Sequence, residues 1–81
     1  MEKHIIVGVH IVDREKHAVK VQEIFTKNGA QIKTRLGLHD DICSSNGLIL
    51  LEMQDTKQTD QMIHELGSMD GVDCKTMLFS H

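Results

Sequence analysis

A ferredoxin-like α+β fold, a strand–helix–strand unit repeated once, is the architecture this chain predicts. Three observations predict it. Strand-like and helix-like periodicities follow one another in the order βαββαβ over the 81 residues. Two strand segments, 4–12 and 47–53, are apolar on both sides, as central strands are. The other two, 31–38 and 72–79, alternate or carry charge, as edge strands do. Placing the apolar strands in the middle gives a four-stranded antiparallel sheet of order 4-1-3-2. Right-handed crossovers then put both helices on one face. The opposite face keeps apolar residues with nothing in the chain left to cover them, which predicts a homo-oligomer, dimer or tetramer. The length fits one domain, 1–81, near the size at which a single core gains from partner surface.

Each element has its own signature. In the first strand Ile5, Val7, Val9 and Ile11 share one face, and Ile6, Gly8, His10 and Val12 the other. Asp13 has the chemistry of an N-cap, with Glu15 in the first turn. Ala18, Val21, Ile24 and Phe25 then form an inward helical stripe, while Lys16, Lys20 and Glu23 point away. Asn28-Gly29 predicts a left-handed stop. The second strand sets Ile32, Thr34, Leu36 and Leu38 against Lys33, Arg35 and Gly37, so its apolar side is expected in the core. Polar residues 39–46 turn the chain into a third strand that is apolar on both faces except at Glu52. Asp55 or Thr56 opens the second helix, with Met62, Ile63, Leu66 and Met69 inward, and Asp70-Gly71 ends the connection. In the last strand Val72, Cys74, Thr76 and Leu78 oppose Asp73, Lys75, Met77 and Phe79.

Composition excludes several functions. The net charge is −3 and no Lys/Arg cluster stands out, which argues against direct nucleic-acid binding, where phosphate neutralisation carries most of the affinity. Two Phe with neither Trp nor Tyr leave no stacking platform for single strands. No apolar run approaches the ~18 residues of a membrane span. Met1-Glu2-Lys3-His4 precedes a short strand rather than a secretory apolar region, so a cytoplasmic location is expected, with Cys43 and Cys74 as reduced thiols.

Candidate chemistry is sparse. His39, Asp41 and Cys43 lie close together in the connection between the second and third strands. With His10 from a second subunit they form an expected Ni or Zn ligand set; a solvated polar loop is the plainer alternative. Arg35 and Gly37 on one side of that connection, and Asn46 and Gly47 on the other, form a candidate ligand site. An arginine holds a carboxylate or phosphate in a bidentate manner, and glycines permit close approach. The alternative is an edge charge at Arg35 that discourages aggregation, with Gly37 marking a bulge. Glu52, alone among apolar neighbours, is expected to have a raised pKa and to meet His10, either as an interfacial salt link or as an acid–base couple. No nucleophile elbow, HExxH or phosphate-cradling loop is present, and a non-enzyme is expected.

Taken together, Val12-Asp13-Arg14-Glu15, Arg35-Leu36-Gly37, Gly47-Leu48-Ile49-Leu50 and the run from Leu66 to Val72 resemble the family of iron-only hydrogenase system regulators, over almost the whole length. Members of that family are similar in fold to ACT domains and to the C-terminal domain of the nickel-responsive repressor. The resemblance implies an ACT-like, ligand-sensing cytoplasmic oligomer that acts through a regulatory or hydrogenase-maturation protein. The repressor domain carries a His-x-His pair and then Asn-Cys. Here His39 and Asp41 fall on the pair, while Asn46-Gly47 falls on Asn-Cys, so the thiolate is missing and Cys43 is out of register. The DNA-binding segment has no counterpart. Val12-Asp13-Arg14 also lacks the glycine of the ACT ligand turn.

Overall fold

The structure, a computed structural model, describes residues 3–38 and 46–80. Strand β1 (Lys3–Ile11) leads through Val12 and Asp13 into helix α1 (Arg14–Lys27). A short 3-10 turn, Gly29–Gln31, then delivers β2 (Ile32–Leu38). Strand β3 (Gly47–Gln54), helix α2 (Lys57–Gly67) and β4 (Val72–Ser80) complete the repeat. The strands form one sheet of order β2-β3-β1-β4, antiparallel throughout, which is the predicted order read from the other edge. The fold is ferredoxin-like.

The centre follows directly from the sequence. β-Branched residues dominate β1, where they pack well on a pleated surface. Its alternate residues Ile5, Val7, Val9 and Ile11 are buried, and opposite them stand Met53, Leu51 and Ile49 of β3. Val21, Ile24 and Phe25 of α1 and Met62 and Leu66 of α2 close over the same face, so both helices cover one side. Each fully buried side chain of this size contributes about 1.5–3 kcal/mol by leaving water.

The ends of the helices depart from expectation in instructive ways. Thr56 caps α2 as anticipated, its hydroxyl accepting from Thr59 N at 3.2 Å. Asp13 does not cap α1. It sits in the left-handed region, φ 51°, and its carboxylate makes no capping bond. Aspartate tolerates that conformation better than most residues. Its N–H is held instead by Asn46 Oδ1 at 2.9 Å, a tie between the start of α1 and the start of β3. At the other end Asn28 keeps a negative φ, −105°, and Gly29 is not left-handed either. The Asn28 side chain is buried and donates from Nδ2 to Ile24 O at 2.8 Å. That carbonyl also accepts from Asn28 N at 3.1 Å, so backbone and side chain of one residue close the last turn together, and the chain leaves by a 3-10 turn. Among the described residues the left-handed glycine is Gly71, φ 76°, whose carbonyl accepts from Val12 N at 2.7 Å. A methyl group there would fall 2.6 Å from the His17 ring, so backbone angle and space both demand glycine.

The largest departure lies in β2. Ile32 pairs with Met53, but Thr34 pairs with Glu52, so two residues of β2 answer one of β3 and Lys33 is the bulged residue. Beyond it the alternation runs with inverted parity. Arg35 and Gly37 stand opposite the core residues Leu51 and Ile49, on the helix side. Thr34, Leu36 and Leu38 stand opposite Glu52, Leu50 and Leu48, on the uncovered side. The apolar side of β2 therefore faces outward, and the irregularity falls at Lys33 rather than at Gly37.

Candidate functional site

Two features follow from that parity: a leucine-rich open sheet face and a cleft behind it. Across the open face, Leu38, Leu48, His10 and Asp73 form one cross-strand row. Leu36, Leu50, Gly8 and Lys75 form the next, then Thr34, Glu52, Ile6 and Met77. Leu36 and Phe79 are each 52% exposed and Met77 56%. These are large apolar side chains held by strands at fixed spacing, with His4 and Glu52 paired among them.

Glu52 behaves differently from expectation. Thr34 Oγ1 donates to its Oε1 at 2.7 Å, and His4 Nε2 meets its Oε2. The Thr34 hydrogen bond first, and then the His4 bond, hold its carboxyl below the usual carboxylate range. The raised pKa is thus corrected to a lowered one, because these hydrogen bonds outweigh the opposing effect of desolvation. Within the subunit the His10–Glu52 couple is not formed. Glu52 lies opposite Ile6 and reaches the diagonal neighbour His4. His10 lies opposite Leu48, roughly 13 Å further along the strand at ~3.3 Å per residue.

On the helix side, the small residues at Gly37 and Gly47 leave a cleft of about 220 Å³ between α1 and the β2–β3 end of the sheet. Ile11, Ala18 and Ile49 make its wall apolar, and Arg14, Gln22 and Arg35 bring polar groups to it. Arg35 is held in place from two sides: its Nη2 donates to Gln22 Oε1, and its guanidinium lies 5.1 Å from the centroid of the buried Phe25 ring. A Cβ on Gly37 would meet nothing within 4 Å, so the missing side chain is open space. The wider depression of about 590 Å³ on α1 is lined by Ala18, Val19, Gln22, Glu23, Thr26 and Lys27 of that one helix. It is therefore an outer helix surface and not a site between elements.

Three of the four expected ligand residues, Arg35, Gly37 and Gly47, meet in the cleft. Asn46 does not line it; its side chain is committed to Asp13 N. Arg14, Ala18 and Gln22 were missed by sequence reasoning. Their signal was present in the i, i+4, i+8 spacing, which puts them on one helix face. His39, Asp41 and Cys43 lie outside the described residues. His10 has Leu48 and Asp73 as cross-strand neighbours, and among the described residues no group of three His, Cys, Asp or Glu side chains converges. Cys74 is a free thiol on the core side of β4; burial first, and Asp73 second, push its pKa up to about 11.

Among the described residues no helix is long and apolar enough to cross a membrane. No family model matches the chain, and no curated protein matches it. Solved structures do. An uncharacterized protein from Thermotoga maritima is similar over 98% of this chain and 100% of its own, with 26% identity and a TM-score of 0.85. SnoaB, a cofactor-independent oxygenase from Streptomyces nogalater, is similar over 100% of this chain and 94% of its own, at 10% identity and a TM-score of 0.53. A dimeric ferredoxin-like protein from an uncultured marine organism is similar over 98% and 94%, at 9% identity and a TM-score of 0.52. The last two likenesses are of fold alone, and they agree with the ferredoxin-like architecture seen in the strand order.

Proposed function

We propose that the protein is a non-catalytic regulatory module that pairs with a second copy of itself through the open sheet face and senses a small molecule in the cleft. It passes the change to a partner protein, in keeping with the resemblance to iron-only hydrogenase system regulators. The observation that carries this reading is the bulge at Lys33, which turns Leu36 and Leu38 away from the core and toward the open face. An edge strand that turns its leucines to the open face and its arginine to the helix side is arranged for a covered sheet, because large exposed apolar patches are rare on monomers. Four strands ~4.8 Å apart and ~3.3 Å per residue in length give a footprint of roughly 30 Å by 19 Å. The projected area, about 570 Å² per partner, lies at the low end of specific interfaces, below the ~800 Å² of a standard one. A ferredoxin-like protein of similar fold is described as dimeric, which is in keeping with self-association. Sedimentation velocity at micromolar concentration tests it: a dimer or tetramer is expected, and a monomer at every concentration rejects it.

Two alternatives stand beside this reading. A nickel or zinc protein would use His39, Asp41 and Cys43 with His10 from a second copy, and either metal would then raise the melting temperature of chelator-stripped protein. A small enzyme would be in line with the oxygenase of similar fold. The His10–Glu52 couple that motivated that alternative is replaced by the His4–Glu52 pair.

A further inference from the structure

The cleft between α1 and the β2–β3 end of the sheet carries more than a generic site. Its polar groups are of one kind: two guanidinium groups and a glutamine amide, with no carboxylate among the described lining residues. Arg35 is pre-positioned by Gln22 and Phe25, so little side-chain entropy is lost when its remaining donors engage an acceptor. The rest of the lining is aliphatic, and the volume suits a small metabolite rather than a drug-sized ligand of ~300–1,000 Å³. Asp13 and Glu15 flank Arg14 in sequence, so the local charge balance suits a single negative charge better than a polyanion.

Resting on the ligand-sensing reading above, we infer that this cleft binds a short aliphatic carboxylate, its head on Arg35 and Arg14 and its hydrocarbon stem against Ile11 and Ile49 in the space left by Gly37. The chemistry selects against two close relatives. An amino acid of the same skeleton brings an ammonium group into a cleft that already holds two guanidinium groups of like charge. Inorganic phosphate brings no apolar stem to use the aliphatic wall.

The test is an amide NMR titration of the full chain with isovalerate, isovaleramide, leucine and inorganic phosphate, each to millimolar concentration. Saturable shifts at Arg14, Ala18, Gln22, Gly37 and Gly47 are expected with isovalerate, with at least tenfold weaker effects from the other three. Arg35→Gln is expected to weaken isovalerate at least tenfold through loss of a charge-assisted contact. Gly37→Val, at an exposed edge position with open space around it, is expected to abolish binding by filling the cleft while the amide spectrum stays folded. Absent isovalerate shifts, equal binding of isovaleramide, preference for phosphate or leucine, or undiminished binding in folded Gly37→Val would each overturn the inference. Sedimentation of the same samples separates the two readings. A monomer that binds isovalerate keeps this inference and refutes the oligomeric sensor; an oligomer that does not bind it does the reverse.

Discussion

Leu36 is the position at which the proposed assembly is most open to measurement. It is 52% exposed in the subunit, on the open face beside Leu50. Burying a whole leucine contributes about 1.5–3 kcal/mol, so covering the exposed half contributes about 0.8–1.5 kcal/mol. A two-fold interface counts every residue twice, giving about 1.5–3 kcal/mol for the pair. At 1.4 kcal/mol per tenfold, Leu36→Asp should therefore weaken association about 10- to 150-fold. That is a lower limit, because an aspartate pressed into an apolar interface adds a desolvation cost. The subunit itself should hardly notice, since exposed substitutions away from special features stay within about 0.5 kcal/mol. Val19→Asp is the matched control: Val19 is 68% exposed on α1, a helix that packs on the covered face, and this substitution should leave association unchanged. Sedimentation equilibrium over a concentration series reads both. Equal dissociation constants for wild type and Leu36→Asp would refute the reasoning, as would a loss of association in Val19→Asp of the same size.

Glu52 has a depressed pKa when folded, so its contribution to stability is complete above the unfolded value of about 4.5 and is lost as pH falls through the lower folded value. Urea midpoints measured from pH 6 down to pH 3 should fall more steeply for wild type than for Glu52→Gln; parallel curves would count against the Thr34 and His4 bonds. Cys74, with its pKa raised to about 11, should be alkylated by iodoacetamide at pH 8 far more slowly in folded Cys43→Ser protein than in urea, as read by mass spectrometry. Thr56→Ala should cost about 1 kcal/mol by removing the cap of α2, whereas Asp13→Asn keeps a residue that tolerates the left-handed region, removes no capping bond and should cost appreciably less. Chemical denaturation of both variants decides whether the two helix starts differ as described.

The architecture was legible because β1 and β3 are apolar on both faces, which leaves little choice of central strands. The choice of side in β2 was not legible. Period-two alternation says that Thr34, Leu36 and Leu38 share a face, but one bulged residue decides which face it is. The partner of Glu52 was hidden for a related reason: only the register of β1 on β3 places His4, and not His10, within reach. Arg35 and the two glycines were identified from residue type alone, while Arg14 and Gln22 needed the packing of α1 on the sheet before their shared helical spacing meant anything. Asn46 was assigned to a ligand, and its amide is spent instead on holding the left-handed Asp13.

The extra residue at Lys33 has a consequence for how this chain tolerates change. Deleting it would restore strict alternation and rotate every later residue of β2 by half a turn of the pleat. Leu36 and Leu38 would then plug the cleft, while Arg35 and Gly37 would interrupt the apolar surface on the other side. Adhesion and pocket thus hang on a single insertion: neither can be lost by slippage at Lys33 without the other, and each point substitution in β2 acts on one of them alone.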